Sequence, residues 1–320
     1  MAEKLLDRMR RIIRVKHYSL RTERAYLYWA RRFILFHGKR HPALLGANEV
    51  TAFLSHLAVE RQCASSTQNQ ALNALLFLYR QVLEIDLPWL DEVIRAKRPV
   101  RIPVVLSVAE VRTILAHLSP PHDLVVRLLY GSGLRIGEAV SLRVKDVDLR
   151  RRSLIVRDGK GAKDRVTVLA DSCIRAVGDQ IERALRLCSD DRRRGRGGVL
   201  LPHALARKYP NARFEDGWQY VFPARDVSQD PRSGRWARHH LLHGSVQRAV
   251  KAASRRAGIR RPVTCHVFRH SFATHLLESG ADIRTIQKLL GHSDVRTTMI
   301  YTQVIERGAL GARSPLDALG

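Results

Sequence analysis

The chain has 320 residues, 45% apolar and 27% charged, a mix that supports a buried core and excludes wholesale disorder. Fifty-six Lys and Arg against 30 Asp and Glu give a formal charge of +26, which repels cations and draws polyanions, nucleic acid before an acidic membrane. No run of 18 apolar residues offers a membrane span, and Met1-Ala2-Glu3-Lys4 opens no secretory segment, so a cytoplasmic protein with no membrane partner is expected.

A short helix is expected before Tyr18. From Ser19, a capping residue, Ala25, Tyr28, Trp29, Phe33 and Phe36 recur at three and four residues and predict an amphipathic helix over 19–37. Asn48 is expected to cap a second helix over 48–60, with Val50, Phe53, Leu54 and Leu57 inward. Residues 66–84 form a third, carrying Leu72, Leu75, Leu76, Leu78, Tyr79 and Leu83. Short connections make residues 1–94 a small helical bundle. A linker over 95–105 follows, where Pro99 and Pro103 forbid a helix and Arg95, Lys97, Arg98 and Arg101 supply four positive charges. It reads either as a solvated connector or as a basic strap across a DNA backbone, and the charge of the whole chain favours the strap.

The second domain spans 106–320. Ser107 and Glu110 form a capping box for a helix through His117, and residues 121–132 predict a very apolar, fully buried helix. Leu154–Arg157 and Arg165–Leu169 are β-prone, with Asp158-Gly159-Lys160-Gly161 as a hairpin turn between them. Residues 171–188 are helical, and from there the chain is mostly helical to its end. The exception is about 190–240, rich in Arg, Gly, Pro and His. There Leu201–Tyr209 predicts a short helix with Pro202 in its first turn, and the rest reads as long loops. The alternation Trp218, Tyr220, Phe222 argues that part of it packs. The expected fold is mainly α with a small antiparallel β-sheet.

Four segments hold residues suited to phosphoryl transfer: Gly131–Glu138 around Arg135, Gly159-Lys160-Gly161, His266-Val267-Phe268-Arg269-His270, and Leu290-Gly291-His292 with Tyr301 nine residues on. A phosphodiester under attack gathers negative charge on its non-bridging oxygens, which two arginines can grip with paired bonds and a histidine can reinforce. A lysine near the leaving oxygen can donate a proton, and a tyrosine hydroxyl can attack and hold the strand as an ester. That scheme needs neither ATP nor metal, and no metal or cofactor is expected: the sequence has no GxGxxG, no Walker loop and no CxxC among Cys63, Cys173, Cys188 and Cys265. Lys163 competes with Lys160 for the acid's role. His266 and Arg269 lie one helical turn apart and can face one site. His270 reads as structural support and His275 as packing.

In this order the segments resemble the tyrosine recombinases, also called phage-integrase-type recombinases, over roughly residues 10–305. The stretch TCHVFRHSFATHLLESGADIRTIQKLLGHSDVRTTMIYTQV is especially close to the family pattern. The resemblance implies a helical SAM-like core-binding domain and a catalytic domain closing on DNA as a C-shaped clamp. It implies Arg135 and Arg269 as phosphate clamp, Lys160 as general acid, His266 and His292 completing the pocket, Tyr301 as nucleophile, and Glu138 supporting the first arginine. The segment over about 190–240 and the pieces Lys208-Tyr209-Pro210-Asn211-Ala212, Trp218–Pro223 and Arg238-His239-His240 resemble one subgroup, the integron integrases, which carry an extra helical insert there. That likeness implies recombination of gene cassettes between a duplex site and a folded single-stranded hairpin site, by a homotetramer. Trp218 would stack on one extrahelical base, and Pro231, His239 and His240 would line a pocket for another. Two readings of these residues stay open: Trp218 as base platform or as anchor of the insert, and the histidines as base contacts or as solvated. A tail over 303–320 would dock on a neighbour. The alternatives are a phage-type or chromosome-dimer-resolving recombinase on two duplexes, a type IB topoisomerase, and an inactive DNA-binding protein that kept the fold.

Overall fold

A computed structural model describes residues 3–85, 103–157, 164–196, 198–202 and 205–309, with side chains as far as 302. Arg95, Lys97, Arg98 and Arg101 of the linker, the turn with Lys160 and Lys163, and residues 310–320 lie outside the described residues. The chain divides into two compact units, Met1–Arg101 and Ile102–Gly320.

The first unit consists of α1 (Leu5–Val15), α2 (Leu20–Phe36), α3 (Ala47–Val59) and α4 (Ser65–Phe77), which widens into a π-helical stretch over Leu78–Leu83. The Ser19 Oγ accepts from the Thr22 N–H at 3.0 Å and caps α2 as the sequence predicts. Asn48 does not cap α3. The helix starts one residue earlier, and the Gly46 N–H donates to the Glu49 carboxylate at 2.7 Å. Met9, Ile13, Trp29, Phe33, Phe53, Leu57 and Leu75 fill the core, while Tyr28 and Phe36 are exposed because the buried stripe of α2 centres on Trp29, Ala30 and Phe33. Buried Glu23 accepts two bonds from Arg14, at 3.2 and 3.0 Å, and so ties α1 to α2.

The second unit begins with α5 (Val108–Ala116), closed at its start by the reciprocal Ser107–Glu110 bonds of 3.2 and 2.8 Å. Next come α6 (His122–Gly131) and α7 (Ile136–Val140). α6 buries Leu124, Val125, Val126, Leu128 and Leu129, but not its whole circumference: Arg127 stays near solvent and pairs with Asp123 at 3.7 Å. β1 (Val147–Asp148), β2 (Ser153–Val156) and β3 (Arg165–Val168) form an antiparallel sheet in that order, with Leu154 opposite Thr167 and Val156 opposite Arg165. α8 (Ile174–Arg193) follows. After the 190–240 segment come α10 (His243–Arg256), α11 (Cys265–Glu278), α12 (Ile283–Leu290) and α13 (Arg296–Ala309).

The 190–240 segment differs from its reading as loops. α9 spans only Leu205–Lys208, without Pro202, and β4 (Pro223–Gln229) and β5 (Trp236–His240) form an antiparallel hairpin. Asp230 closes its turn by accepting from the Ser233 N–H and Oγ, both at 2.7 Å. The strands are too polar to show an apolar alternation, which is why the pattern hid them. Buried Arg238 fastens the hairpin to α8: it pairs with Asp191 through two bonds and donates to the Ala224 and Arg225 carbonyls at 2.7 Å.

Candidate active site

Arg135 precedes α7 at the end of a tight turn. The turn is pinned by Thr167 of β3, whose hydroxyl donates to the Ser132 carbonyl at 2.8 Å. Gly133 sits at φ +63°, and a Cβ there would stand 2.5 Å from the Phe272 ring, so both conformation and space call for glycine. Its carbonyl accepts from Arg269 of α11, which is fully buried. Arg269 also donates to the Leu290 carbonyl at 2.6 Å and to His292 Nε2 at 3.2 Å. Its Nε has no hydrogen-bond partner among the described residues.

Glu138 organises the charges. Its carboxylate accepts from the Arg135 N–H at 2.7 Å and the Arg135 side chain at 2.8 Å. It also takes two bonds from Arg165, of 3.0 and 2.6 Å, and lies 3.7 Å from Arg269. Burial alone would raise this carboxyl; the bonds from Arg165 and Arg135 outweigh it and bring it down to about 2. Arg165 continues to the Leu289 carbonyl at 2.9 Å and passes under Gly291, whose added Cβ would stand 2.7 Å from it. One arginine thus joins β3, α7 and the end of α12.

His292 follows the left-handed Gly291. Its Nδ1 meets the Thr298 hydroxyl at 2.9 Å, and its Nε2 accepts from Arg269. Burial and then the Arg269 and Arg135 charges press its pKa down to about 4. Tyr301 of α13 is 2% exposed, packed with Phe272, Ala273, Ile286 and Leu290. Its hydroxyl meets His270 Nδ1 at 3.1 Å. Burial raises the phenol's pKa, while Arg269 and Arg135 pull it back. His266 is exposed on α11, and its pKa is lowered by the desolvating pocket wall and by Arg269 and Arg135.

Arg135, Arg269, His292 and Tyr301 therefore meet in one place, with His266 at its edge; Lys160 lies outside the described residues. Two members were missed in the sequence. His270, read as support, is the group on the Tyr301 hydroxyl, and its position four residues after His266 was the available signal. Arg165 carried no signal beyond opening a predicted strand. His275 takes the packing part expected of it, against Tyr130 at 2.9 Å.

On the insert, Trp218 is half-buried. Lys145 Nζ stands 3.0 Å from its ring centroid, and its carbonyl accepts from Arg143. The neighbouring backbone joins the same segment, with the Val144 N–H donating to Gln219 and the Val221 N–H to Leu142. Pro231 lies exposed in the β4–β5 turn, whereas His240 closes the far end of β5 opposite Pro223, beside Tyr220 and His243. These residues do not surround one pocket, because they sit at opposite ends of the hairpin, and successive strand residues such as His239 and His240 point to opposite faces. A cavity of about 280 Å³ opens between Gly198–Leu201, Arg213 and Trp236, and none of the four lines it.

Among the described residues no group of three or more His, Cys, Asp or Glu is placed to hold a metal ion, and no helix is long and apolar enough to cross a membrane. The Phage integrase family profile matches residues 105–307, and that of the phage integrase N-terminal SAM-like domain matches 5–89. An integrase/recombinase of Escherichia coli is 54% identical over 316 residues, 99% of this chain and 94% of that one. Tyrosine recombinase XerA of Thermococcus kodakarensis is 33% identical over 296 residues, 89% of this chain and 86% of that one. Among solved structures, XerH recombinase in a post-cleavage complex with a palindromic difH substrate shares the fold, with a TM-score of 0.60 at 19% identity over 96% of this chain and 84% of that one. So does the Tn1549 transposon integrase in complex with transposon right end DNA, with a TM-score of 0.58 at 17% identity over 97% of this chain and all of that one. With one profile covering more than half of its length and relatives above 30% identity along nearly all of it, the chain belongs to the phage integrase family and is a tyrosine recombinase, an enzyme that cleaves and religates DNA strands.

Proposed function

We propose that this recombinase is an integron integrase, moving gene cassettes between a duplex site and a folded single-stranded site. The catalytic reading rests on the convergence of Arg135, Arg269, His292 and Tyr301 around Glu138. The Tyr301 oxygen attacks the phosphorus, the P–O5′ bond breaks, and the strand is held as a 3′-phosphotyrosyl ester. Arg135 and Arg269 grip the non-bridging oxygens, and Lys160 gives the leaving 5′ oxygen its proton. His266 faces the same phosphate from the pocket edge. In the free protein His292 aims Arg269. A free 5′ hydroxyl reverses the steps, and two synapsed sites with two subunits each make a homotetramer. Tyr301→Phe should bind DNA normally and form no covalent adduct on a suicide substrate run on a denaturing gel; an adduct from this variant would remove Tyr301 from its role.

What supports the subgroup is the insert, a hairpin and short helical turns docked on the catalytic unit between α8 and α10. Contacts of Trp218, ahead of the hairpin, and of Pro231, His239 and His240, at separate points along it, with unpaired bases belong to this proposal. A base on Trp218 must use the face away from Lys145 or displace it. Trp218→Ala should weaken binding to a folded cassette hairpin about tenfold, the low end of a stacking contact, and spare a matched duplex. Equal loss on both substrates in gel shifts would identify Trp218 as an anchor only. The second reading is a recombinase of two duplexes, favoured by relatives at 33–34% identity named XerA and XerD; duplex preference in the same gel shifts would select it.

A further inference from the structure

We infer that His270 is a further catalytic residue, whose Nδ1 takes the proton of the Tyr301 hydroxyl as the phosphotyrosyl bond forms. The inference rests on Tyr301 being the nucleophile. A phenol is a poor nucleophile until its proton leaves, and burial makes that proton harder to lose. Tyr301 is 2% exposed, so bulk water has little access to it. Three imidazoles stand near. His292 is spent, with one nitrogen on Thr298 and the other on Arg269, and its ring lies parallel to Tyr301 with centroids 6.4 Å apart. His266 meets the edge of His270, centroids 4.3 Å apart. His270 alone of the three is hydrogen-bonded to the hydroxyl, at 3.1 Å.

The groups facing this imidazole are His266 and Arg269 on its own helix, His292 beyond α12 and Tyr301 on α13. Burial, then the charges of His266, Arg269 and His292, bring its pKa down to about 4. His270 is therefore neutral at physiological pH, and in the tautomer that carries its proton on Nε2 the bond to the phenol makes Nδ1 the acceptor. So weak a base can take the proton only as the oxygen–phosphorus bond forms and the phenol becomes acidic. The arriving phosphodiester also adds negative charge nearby, which favours the imidazolium. The step balances: the Tyr301 oxygen bonds to phosphorus, its proton goes to His270, the P–O5′ bond breaks and the leaving oxygen takes a proton from Lys160. Religation returns both protons.

The test uses the full chain and a duplex that the protein itself selects from randomised DNA, remade as a suicide substrate. His270→Gln keeps a hydrogen-bonding side chain but cannot take the proton. Adduct formation at pH 7 should fall about 100-fold, the lower range for a general base, with DNA binding and melting temperature unchanged. Its rate should rise about tenfold per pH unit between pH 6 and 9, while no such rise comes from this group in the unaltered protein. That slope is independent of the folded fraction, so it separates chemistry from packing even if the variant is less stable. A 5′-bridging phosphorothiolate, which leaves without an acid, should rescue Lys160→Ala and not His270→Gln. Cleavage within threefold of the unaltered protein, a loss without the slope, or faster cleavage would each overturn the inference; the last would mark His270 as a clamp. An adduct from Tyr301→Phe would instead overturn the nucleophile reading beneath it.

Discussion

Glu138 is the residue on which the site's order depends. It is a buried carboxylate whose folded-state pKa, about 2, lies below its ordinary value of 4.5. Its contribution to stability is therefore complete above about pH 4.5 and is lost as pH falls toward 2, and it amounts to about 3 kcal/mol. Glu138→Gln should remove that dependence and strand Arg165 and Arg269 without their counter-charge, a loss of about 3–5 kcal/mol for a broken buried pair. Thermal melts from pH 2 to 7 should show a lower and flatter profile; a profile parallel to the unaltered protein's would contradict the assignment. At this scale the sequence was most informative where chemistry fixes residue type in short motifs, as at Arg135, Arg269, His292 and Tyr301. It was silent where partners meet only through folding. Arg165 lies 27 residues from Glu138 and His270 lies 31 from Tyr301, and no local pattern encodes either distance.

Among the elements, helices with an apolar stripe and a capping side chain were readable, as α2 and α5 show. The β4–β5 hairpin was not, because its strands are polar and the ion pair that fastens it to α8 joins residues far apart in sequence. Arg238 and Asp191 each keep about 7% exposure, so breaking the pair leaves an uncompensated buried charge. Arg238→Met should loosen the hairpin from α8 while leaving the α6–α11 core folded. Limited proteolysis should then cut the 230–235 turn at least tenfold faster, and adding Asp191→Leu should restore part of the protection. Equal cutting in the single variant would show that the hairpin is held by its backbone contacts alone. Gly133 and Gly291 belong to this scale as well: each lets a helix end come close enough for a guanidinium to reach a carbonyl.

For the whole molecule, +26 on 320 residues makes DNA binding a counterion-release process. If Lys97 and Arg98 touch phosphates, replacing both with Ala should weaken binding to all duplexes by a similar factor and reduce the salt slope by about 2. An unchanged slope with altered site preference, measured by titration at several salt concentrations, would exclude the strap. The same imbalance recurs in miniature at the active site, where three guanidinium groups share one carboxylate. Among the described residues two positive charges are left over in a pocket largely withdrawn from solvent, and the Arg269 Nε is a donor without an acceptor. The free enzyme is thus folded against its own repulsion, like a spring held compressed. On the proposed catalytic reading a phosphodiester is the group that lets it relax, so stability withheld from the empty protein would return as affinity for the backbone it cuts.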